Sequence, residues 1–200
     1  MKRALTILAV FSIALAAIAA TNLPSDVRVV IQNALTNERQ AAARYELFAQ
    51  KADEEGYRGV AALFRAQMQA ERTHAARFAE LLRVNESAVP PEQTFTPNVG
   101  TTGENLRAAM AAERAERDGV YREAVETCNL RGAADIAKIF DQTRDSEVEH
   151  ENLCNVAAHD LDSMKDAKTF YVCGACGYTT DVKLPYCPAC QHKEAPSAVK

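Results

Sequence analysis

An internal repeat constrains this chain more than any other feature of its sequence. Four residue types recur in one order and with the same mutual spacing in two segments. They are Gly56, Phe64, Glu71 and His74 in the first segment and Gly132, Phe140, Glu147 and His150 in the second. The apolar residues around each copy recur at helical spacing, so each copy predicts a helical hairpin. Two such hairpins predict an all-α four-helix bundle.

The helix boundaries follow from the same periodicity and from the breaks in it. We predict helices over Ser25–Glu55, Tyr57–Val84 and Glu104–Asn129, and a fourth from the turn at 130–132 to about Asp162. Residues 85–103 hold three prolines and two glycines without periodicity, which predicts one long crossover along the bundle. A strand is indicated at 169–172. The predicted domains are 21–165 for the bundle and 166–200 for a small β-rich C-terminal module.

Composition excludes several classes of protein. Hydrophobic residues make up 48% and charged residues 25%, the balance of an ordinary globular domain rather than of a disordered chain or a polytopic membrane protein. The formal net charge of −4 makes the chain a poor partner for phosphate backbones, so we predict no binding to nucleic acid.

The N-terminal segment predicts export. Lys2 and Arg3 precede an apolar run that ends in the small residues Ala17–Ala20. This pattern is typical of a secretory signal peptide over 1–20, with cleavage near Ala19 or Ala20 and a periplasmic mature protein. The alternative is an uncleaved membrane anchor, since the run is at the lower end of the length that spans a bilayer.

Acidic and histidine side chains recur inside the predicted helices. Pairs three residues apart, which share one helix face, are Glu71 with His74, Glu113 with Glu116, and Glu147 with His150. Glu38 is an isolated acid in the first helix.

The turns of the two hairpins align these acids. The midpoint of Glu38 and Glu71 falls in the break at 53–56, and the midpoint of Glu113 and Glu147 falls at the second turn. Antiparallel helices therefore bring all four carboxylates to one height. Buried together they would repel one another strongly without cations, and two metal ions bridged by carboxylates and capped by imidazoles resolve the conflict. Oxygen and imidazole ligands suit iron or manganese. The alternative is a set of solvated helix faces.

Two tyrosines share the faces of these acids. Tyr45 and Tyr121 follow Glu38 and Glu113 by two helical turns. Each phenol either donates a hydrogen bond to a ligand carboxylate or is an ordinary core tyrosine with its hydroxyl satisfied elsewhere.

The C-terminal cysteines predict a second metal site. Cys173 and Cys176 form one Cys-x-x-Cys knuckle, and Cys187 and Cys190 form another. Two such loops complete a tetrahedral tetrathiolate. Zinc would make it a structural ribbon and iron a one-electron carrier, while two disulfides are the remaining alternative. Cys128 and Cys154 lie too far apart along the predicted bundle to pair, and we interpret them as packing residues.

Taken together, these motifs make the chain resemble rubrerythrin over about residues 25–192. Rubrerythrins join a ferritin-like di-iron bundle to a C-terminal rubredoxin-like module that holds one iron on four cysteines. The resemblance implies that the di-iron ligands are Glu38, Glu71, Glu113, Glu116, Glu147 and His150. It implies that His74 replaces Glu116 on one iron when the site is reduced. It also implies that Tyr45 and Tyr121 hydrogen-bond the carboxylates, and that the single iron is held by Cys173, Cys176, Cys187 and Cys190.

The resemblance also implies an activity and partners. Rubrerythrins reduce hydrogen peroxide to water with electrons that pass from the tetrathiolate iron to the di-iron site, so we expect Glu71, Glu116, His74, Tyr45 and Tyr121 to act in catalysis. A head-to-tail homodimer, in which one chain's module lies beside the other chain's di-iron site, and an unidentified electron donor are implied as well. The alternatives are a ferroxidase or iron-handling protein, and a non-enzymatic bundle with a zinc ribbon.

Three features depart from the family pattern. The predicted signal peptide is unusual for a family found mostly in the cytoplasm. The segment between the two knuckles is short. The residues after Cys190 show no aromatic or aliphatic closing strand, which predicts a tetrathiolate site that is poorly shielded from solvent.

Overall fold

A computed structural model describes residues 23–200, so the predicted signal peptide over 1–20 lies outside the described residues. The helices are α1 (Ser25–Glu54), α2 (Arg58–Val84), α3 (Thr102–Ala115), α4 (Arg122–Leu130) and α5 (Ala134–His159), and the strands are β1 (Phe170–Val172), β2 (Thr179–Thr180) and β3 (Ser197–Val199). A π-helical turn, Glu116–Tyr121, joins α3 to α4, and a 3-10 turn, Asp162–Lys165, follows α5. The predicted ferritin-like bundle with a small β-rich module is confirmed.

The repeated glycines form the turns of the two hairpins. Gly56 has a φ of +82° and Gly132 a φ of +71°, a left-handed conformation that only glycine adopts without strain. In both turns an amide reaches back into the helix: Tyr57 N donates to Ala52 O at 2.8 Å, and Ala133 N donates to Cys128 O at 2.9 Å. The repeat therefore encodes two closely similar helix–turn–helix units.

The third helix of the bundle differs from its predicted form of one regular helix over 104–129. It starts two residues earlier, because Thr101 accepts from the amide of Glu104 and the Glu104 carboxylate accepts from the amide of Thr101. It is also interrupted by the π-helical turn, which begins at Glu116 and ends at Tyr121. One extra residue in a turn rotates the residues after it about the helix axis. Tyr121 therefore lies at a different angle around the axis from the one that a regular helix would give it.

The long crossover runs without regular structure along the outside of α1. Nη1 of Arg39 donates to the carbonyl oxygen of Pro90 at 2.7 Å, and Nε2 of Gln32 donates to that of Ala88 at 2.9 Å. These bonds hold the first part of the crossover against the first helix of the bundle.

Two apolar clusters fill the bundle, one toward each end. Phe48 and Phe64 belong to the first cluster, and Phe78 and Phe140 to the second. The free thiols of Cys154 and Cys128 are buried in the first and the second cluster respectively, in agreement with their interpretation as packing residues. Along each of the four long segments of the bundle, the most deeply buried glutamates and histidines lie between the residues of the two clusters: Glu38, Glu71, His74, Glu113, Glu147 and His150.

The C-terminal module contains a three-stranded antiparallel sheet in the order β2–β1–β3. Tyr171 pairs with Thr180 on one side and with Ala198 on the other. The expectation that no closing strand follows Cys190 is wrong, because Ser197–Val199 forms β3 along the whole of β1. The segment has few aromatic or aliphatic residues, and it closes the sheet mainly through its backbone.

The module lies against the bundle of its own chain, where β1 and β2 contact α2 and β2 also contacts α5. Gly59 lets the connecting segment approach α2, since a Cβ there would lie 2.8 Å from the carbonyl oxygen of Asp166. Within residues 23–200, no helix combines the length and the apolar character that crossing a membrane requires.

Candidate metal centres

Four helices direct acidic and imidazole side chains into the gap between the apolar clusters. Two groups of potential ligand atoms form, each with its members within 4.8 Å of one another. The first group is Glu38, Glu71, His74 and Glu147, and the second is Glu71, Glu113, Glu147 and His150. Glu71 and Glu147 belong to both groups, so these two carboxylates stand between two adjacent ion sites.

The distances show an approximate two-fold symmetry that follows the sequence repeat. Nδ1 of His74 lies 2.9 Å from Glu71 and 3.4 Å from Glu147, and Nδ1 of His150 lies 2.8 Å from Glu147 and 3.1 Å from Glu71. Glu38 faces His74 at 3.6 Å, and Glu113 faces His150 at 3.8 Å. Each imidazole thus has one terminal carboxylate and shares two central ones.

The outer nitrogen of each imidazole is held by the C-terminal module. Nε2 of His74 lies 2.9 Å from the carbonyl oxygen of Cys176, which can only accept, so Nε2 carries the hydrogen. Nε2 of His150 lies 3.1 Å from Oγ1 of Thr179, whose own hydrogen is donated to Gly177 O at 3.0 Å. Both Nδ1 atoms therefore face the carboxylates, as a metal-binding histidine requires.

The site requires positive charge at its centre. Oxygens of Glu38, Glu71, Glu113 and Glu147 are buried without a hydrogen-bond partner among the described residues. Burial, reinforced by the charge of Glu71, raises the pKa of the Glu38 carboxyl to about 8. Burial and the same neighbour raise the pKa of Glu147 as well. Two metal ions bridged by Glu71 and Glu147 would satisfy these oxygens, so the residues present fit a di-metal centre.

Both predicted tyrosines contact the carboxylates. The hydroxyl of Tyr45 donates to Glu113, and that of Tyr121 donates to Glu38. Burial raises the pKa of each phenol, and the charge of the carboxylate beside it raises the pKa further, so each phenol carries its proton in the resting site. The ring of Tyr45 stacks on Phe64 at a centroid distance of 5.7 Å. Each tyrosine is thus a core residue and a hydrogen-bond donor to the site at once.

Glu116 is the predicted ligand that the structure does not bring into either group. It begins the π-helical turn, and burial followed by the charge of Glu38 raises the pKa of its carboxyl. His74 is in the cluster while Glu116 is outside it. The resemblance implies this arrangement for the reduced state.

The four knuckle cysteines converge on one point. Sγ of Cys173 lies 3.8 Å from Sγ of Cys190, and Sγ of Cys176 lies 3.5 Å from Sγ of Cys187. Metal–sulfur bonds of about 2.3 Å in a tetrahedron place the sulfurs about 3.8 Å apart. The thiols therefore fit one tetrathiolate metal ion. All six cysteines lie in the described part of the chain and are free, so the alternative of two disulfides is wrong.

The knuckle backbones repeat one another. Gly177 N donates to Cys173 O at 2.9 Å, and Gln191 N donates to Cys187 O at 3.0 Å. Gly177 and Gln191, each four residues after the first cysteine of its knuckle, have positive φ values of 82° and 60°. A hydrogen bond from Cys176 lowers the pKa of the Cys173 thiol to about 4, and this effect outweighs that of burial, which raises the pKa. Before a metal binds, the thiolate is thus favoured at Cys173, whereas burial raises the pKa of the Cys187 thiol to about 11.

Sequence reasoning missed the residues that join the two centres. Gly177 lies so close to α2 that a Cβ there would be 2.2 Å from Nε2 of His74 and 3.1 Å from Ala70 O. Thr179 and the carbonyl of Cys176 hold the two imidazoles. A glycine after a Cys-x-x-Cys knuckle signals a left-handed turn, but no sequence pattern shows that this turn contacts a helix a hundred residues earlier.

Gln67 is a further residue that sequence reasoning did not single out. Its Nε2 donates to the carbonyl of His150 at 3.1 Å and lies 3.3 Å from Sγ of Cys154. The amide thereby ties α2 to α5 one turn away from the carboxylates.

Comparison with known proteins agrees with this architecture. The family model for rubrerythrin matches residues 30–168. A rubrerythrin from Porphyromonas gingivalis is 36% identical over 169 residues, which cover 81% of this chain and 84% of that protein. Rubrerythrin-1 of Clostridium acetobutylicum is 30% identical over 174 residues, covering 82% and 89%. A structure of fully reduced, all-ferrous nigerythrin superposes with a TM-score of 0.80 at 24% identity, covering 99% of this chain and 100% of that chain, which shows a shared fold.

Proposed function

Because this chain belongs to the rubrerythrin family, we propose that it is a non-haem iron peroxidase that reduces hydrogen peroxide to water. The family consists of oxidoreductases, and this chain is an iron protein of the rubrerythrin type with a di-iron site and a four-cysteine site for iron or zinc. The proposal adds the substrate and the source of electrons. The observation that carries it is His74, which contacts the carboxylates through Nδ1 and the four-cysteine module through Nε2.

The overall reaction is balanced by two electrons from an external one-electron donor, passed on one at a time through the four-cysteine site, and by two protons from side chains at the carboxylate site. One peroxide takes up two electrons and two protons, its O–O bond breaks, and two waters leave. Bound iron would supply the redox chemistry, with two ions at the carboxylates and one at the cysteines. An external one-electron donor would reduce the iron at the cysteines again. The four-cysteine site of the same chain would supply electrons to the carboxylate site, since the His74–Cys176 contact joins a ligand of one site directly to a residue of the other.

The protein's own residues orient the site and hold protons there. One iron would be held by Glu38 and His74 and the other by Glu113 and His150, and Glu71 and Glu147 belong to both groups of ligands. The Tyr45 and Tyr121 hydroxyls hold protons next to terminal carboxylates. We propose that these hydroxyls and the Glu116 carboxyl deliver protons to the departing oxygens. The apolar clusters on both sides keep bulk water away from the exchange.

Substitution of Glu71 tests the peroxidase proposal most directly. Glu71→Ala removes a carboxylate that faces both imidazoles, and we expect peroxide reduction by the iron-loaded protein to fall at least about a hundredfold. Glu80→Ala, an exposed acid on the same helix, is the matched control. Peroxide turnover at the wild-type rate in Glu71→Ala would exclude this site as the centre of the reaction.

Optical spectra separate peroxidase from the two alternative functions. Visible bands of a ferric tetrathiolate should bleach when anaerobic protein is reduced and return on addition of peroxide. Bands that return with oxygen and ferrous iron but not with peroxide would favour a ferroxidase. A colourless protein with zinc on the cysteines would favour a structural ribbon.

The oligomeric state also stays a prediction. The family resemblance implies a head-to-tail dimer, whereas the described chain has its module against its own bundle. Mixing Glu71→Ala chains with Cys173→Ser chains distinguishes the two arrangements. Restored peroxide turnover in the mixture would show that a module serves the partner's site, and no restoration would show that each chain serves itself.

We also propose that the mature protein is exported. The support is the charged start and the apolar run of residues 1–20. N-terminal sequencing of protein recovered from the periplasm should begin just after Ala19 or Ala20. An intact Met1 in a membrane fraction would instead indicate the uncleaved anchor.

A further inference from the structure

Arg77 is a partly buried cation between the bundle and the four-cysteine module, and neither the repeat nor the metal motifs include it. It lies on α2 three residues after His74, on the same helix face. Its Nη2 donates to Oε1 of Gln142 on α5 at 2.6 Å. Its Nη1 is buried and has no hydrogen-bond partner among the described residues.

The side chain of Arg77 borders both cysteine knuckles. It lines one cavity together with Ala175 and Cys190, and a second cavity together with Gly174. Burial lowers the pKa of the guanidinium, and the charges of all four cysteine thiolates, that of Cys176 most strongly, act in the opposite direction. Because Cys190 lines the same cavity as Arg77, a charged four-cysteine centre would lie next to the guanidinium.

The charge of Arg77 is not neutralised by a carboxylate of the described residues. In the described part of the chain no carboxylate forms a salt bridge with Arg77, and the two acids that line its cavities are paired elsewhere. Glu80 pairs with Arg83 at 3.2 Å, and Glu194, 88% exposed, pairs with His192 at 3.6 Å. Apart from these two acids, the acidic side chain that shares a cavity with Arg77 is Cys190, one of the four cysteines of the metal site.

We propose that Arg77 sets the reduction potential of an iron held by Cys173, Cys176, Cys187 and Cys190, and that it favours the reduced form. A tetrathiolate carries one net negative charge around a ferric ion and two around a ferrous ion. A neighbouring cation stabilises the more negative form more strongly, and burial reduces the screening of that effect by salt. On reduction one electron passes from a one-electron donor to the ferric ion, and no bond forms or breaks. The inference rests on the proposed presence of iron at this site.

The test is an optical redox titration of the full-length, iron-loaded protein, with dithionite as the reductant and the visible ferric-tetrathiolate absorbance as the readout. We expect Arg77→Gln to lower the ratio of reduced to oxidised centre at a given ambient potential about tenfold, which is about 59 mV for a one-electron couple. Arg77→Lys keeps the charge and should shift that ratio much less. Arg83→Gln removes an exposed arginine from the same helix and should not change it.

A second variant leaves Arg77 in place. Gln142→Glu puts a negative charge on the hydrogen-bond partner of Arg77 and should lower the ratio in the same direction as Arg77→Gln. An unchanged potential in both Arg77→Gln and Gln142→Glu would overturn the inference. An equal shift in Arg77→Lys and Arg77→Gln would also overturn it, because loss of packing rather than of charge would then be the cause.

The visible bands of the wild-type protein separate this inference from the proposed function. If iron-loaded wild-type protein shows no ferric-tetrathiolate bands, the proposed electron-carrying role of the four-cysteine site fails, and the role of Arg77 fails with it. If the bands are present and only the expected shift is missing, the proposed function stands and the inference about Arg77 alone is wrong.

Discussion

Nε2 of His74 lies 2.9 Å from the carbonyl oxygen of Cys176. The first residue belongs to the carboxylate cluster of the bundle and the second to the four-cysteine module, so one imidazole contacts both centres of the chain. The contact also places the hydrogen on Nε2 and leaves Nδ1 free to face the carboxylates. The module is therefore part of the bundle site and not only its neighbour.

Gly177→Ala is expected to disrupt this contact. Its Cβ would lie 2.2 Å from Nε2 of His74, at a residue whose φ is +82°. Buried elements surround both groups, so His74 or the module must shift, and we expect iron affinity of the carboxylate site to fall about tenfold or more. Competition with a chelator measures this affinity.

Two other glycines are controls for the Gly177 substitution. Gly174→Ala is in the same knuckle, with no described atom within 4 Å of its Cβ, and should bind iron like the wild type. Gly132→Ala places an alanine at a positive φ without any close contact. It should lower stability by about 1 kcal/mol and leave iron affinity unchanged. If Gly177→Ala lowered stability but left iron affinity unchanged, as expected for Gly132→Ala, the close approach of Gly177 to His74 would not contribute to metal binding.

Thr179→Val is expected to weaken metal binding through His150. The hydroxyl accepts from Nε2 of His150 at 3.1 Å, and valine has nearly the same shape without an acceptor. Loss of such a bond typically reduces metal affinity 10- to 100-fold, so we expect about a tenfold loss. Thr179→Ser keeps the hydroxyl and should retain affinity. Equal iron affinity in the valine variant and the wild type would contradict a role for this hydroxyl.

Tyr121→Phe separates the two interpretations of the buried tyrosines. The ring packs beside Phe140 at 6.1 Å, so phenylalanine should preserve the core while removing the donor to Glu38. If the hydroxyl supplies protons, steady-state peroxide turnover should fall about a hundredfold. Tyr186→Phe, at a residue 51% exposed, is the control. Unchanged turnover would make Tyr121 a packing residue only.

Glu55→Gln should lower stability in a pH-dependent way. The Glu55 carboxylate accepts from the amide of Thr102 at 2.8 Å, and this bond holds the pKa of Glu55 below its ordinary 4.5. A lowered pKa means that the stabilisation is present above about pH 4.5 and is lost as pH falls through the folded-state value. We expect a loss of about 1 kcal/mol at pH 7 that shrinks as the pH falls below 4.5.

Urea unfolding of the metal-free protein at several pH values measures the effect of Glu55→Gln. Glu54→Gln is the control, because Glu54 is the neighbouring acid, is 69% exposed, and pairs with Lys51 at 3.6 Å. A Glu55→Gln difference that stays constant between pH 7 and pH 4 would show that charge does not strengthen this bond.

The turns and ligand types follow from local sequence. Gly56 and Gly132 mark turns because their left-handed backbone is a local property, and the three-residue spacing of Glu71 and His74 places them on one face of any helix. The confirmed bundle and module depend on such periodicities. The π-helical turn at Glu116–Tyr121 was not predicted, because one extra residue in a turn leaves hardly any trace in the apolar pattern.

By itself, then, the sequence determined four amphipathic helices, the carboxylate and imidazole pairs on their inner faces, and two cysteine knuckles. Short-range geometry decides all of these. Only the tertiary structure decided that the module lies on its own bundle, where Cys176 and Thr179 contact His74 and His150. It also decided that the C-terminal segment, which has few aromatic or aliphatic residues, pairs with β1 as β3. Those contacts join residues far apart in the chain through backbone atoms and close packing, which residue types and spacings do not encode.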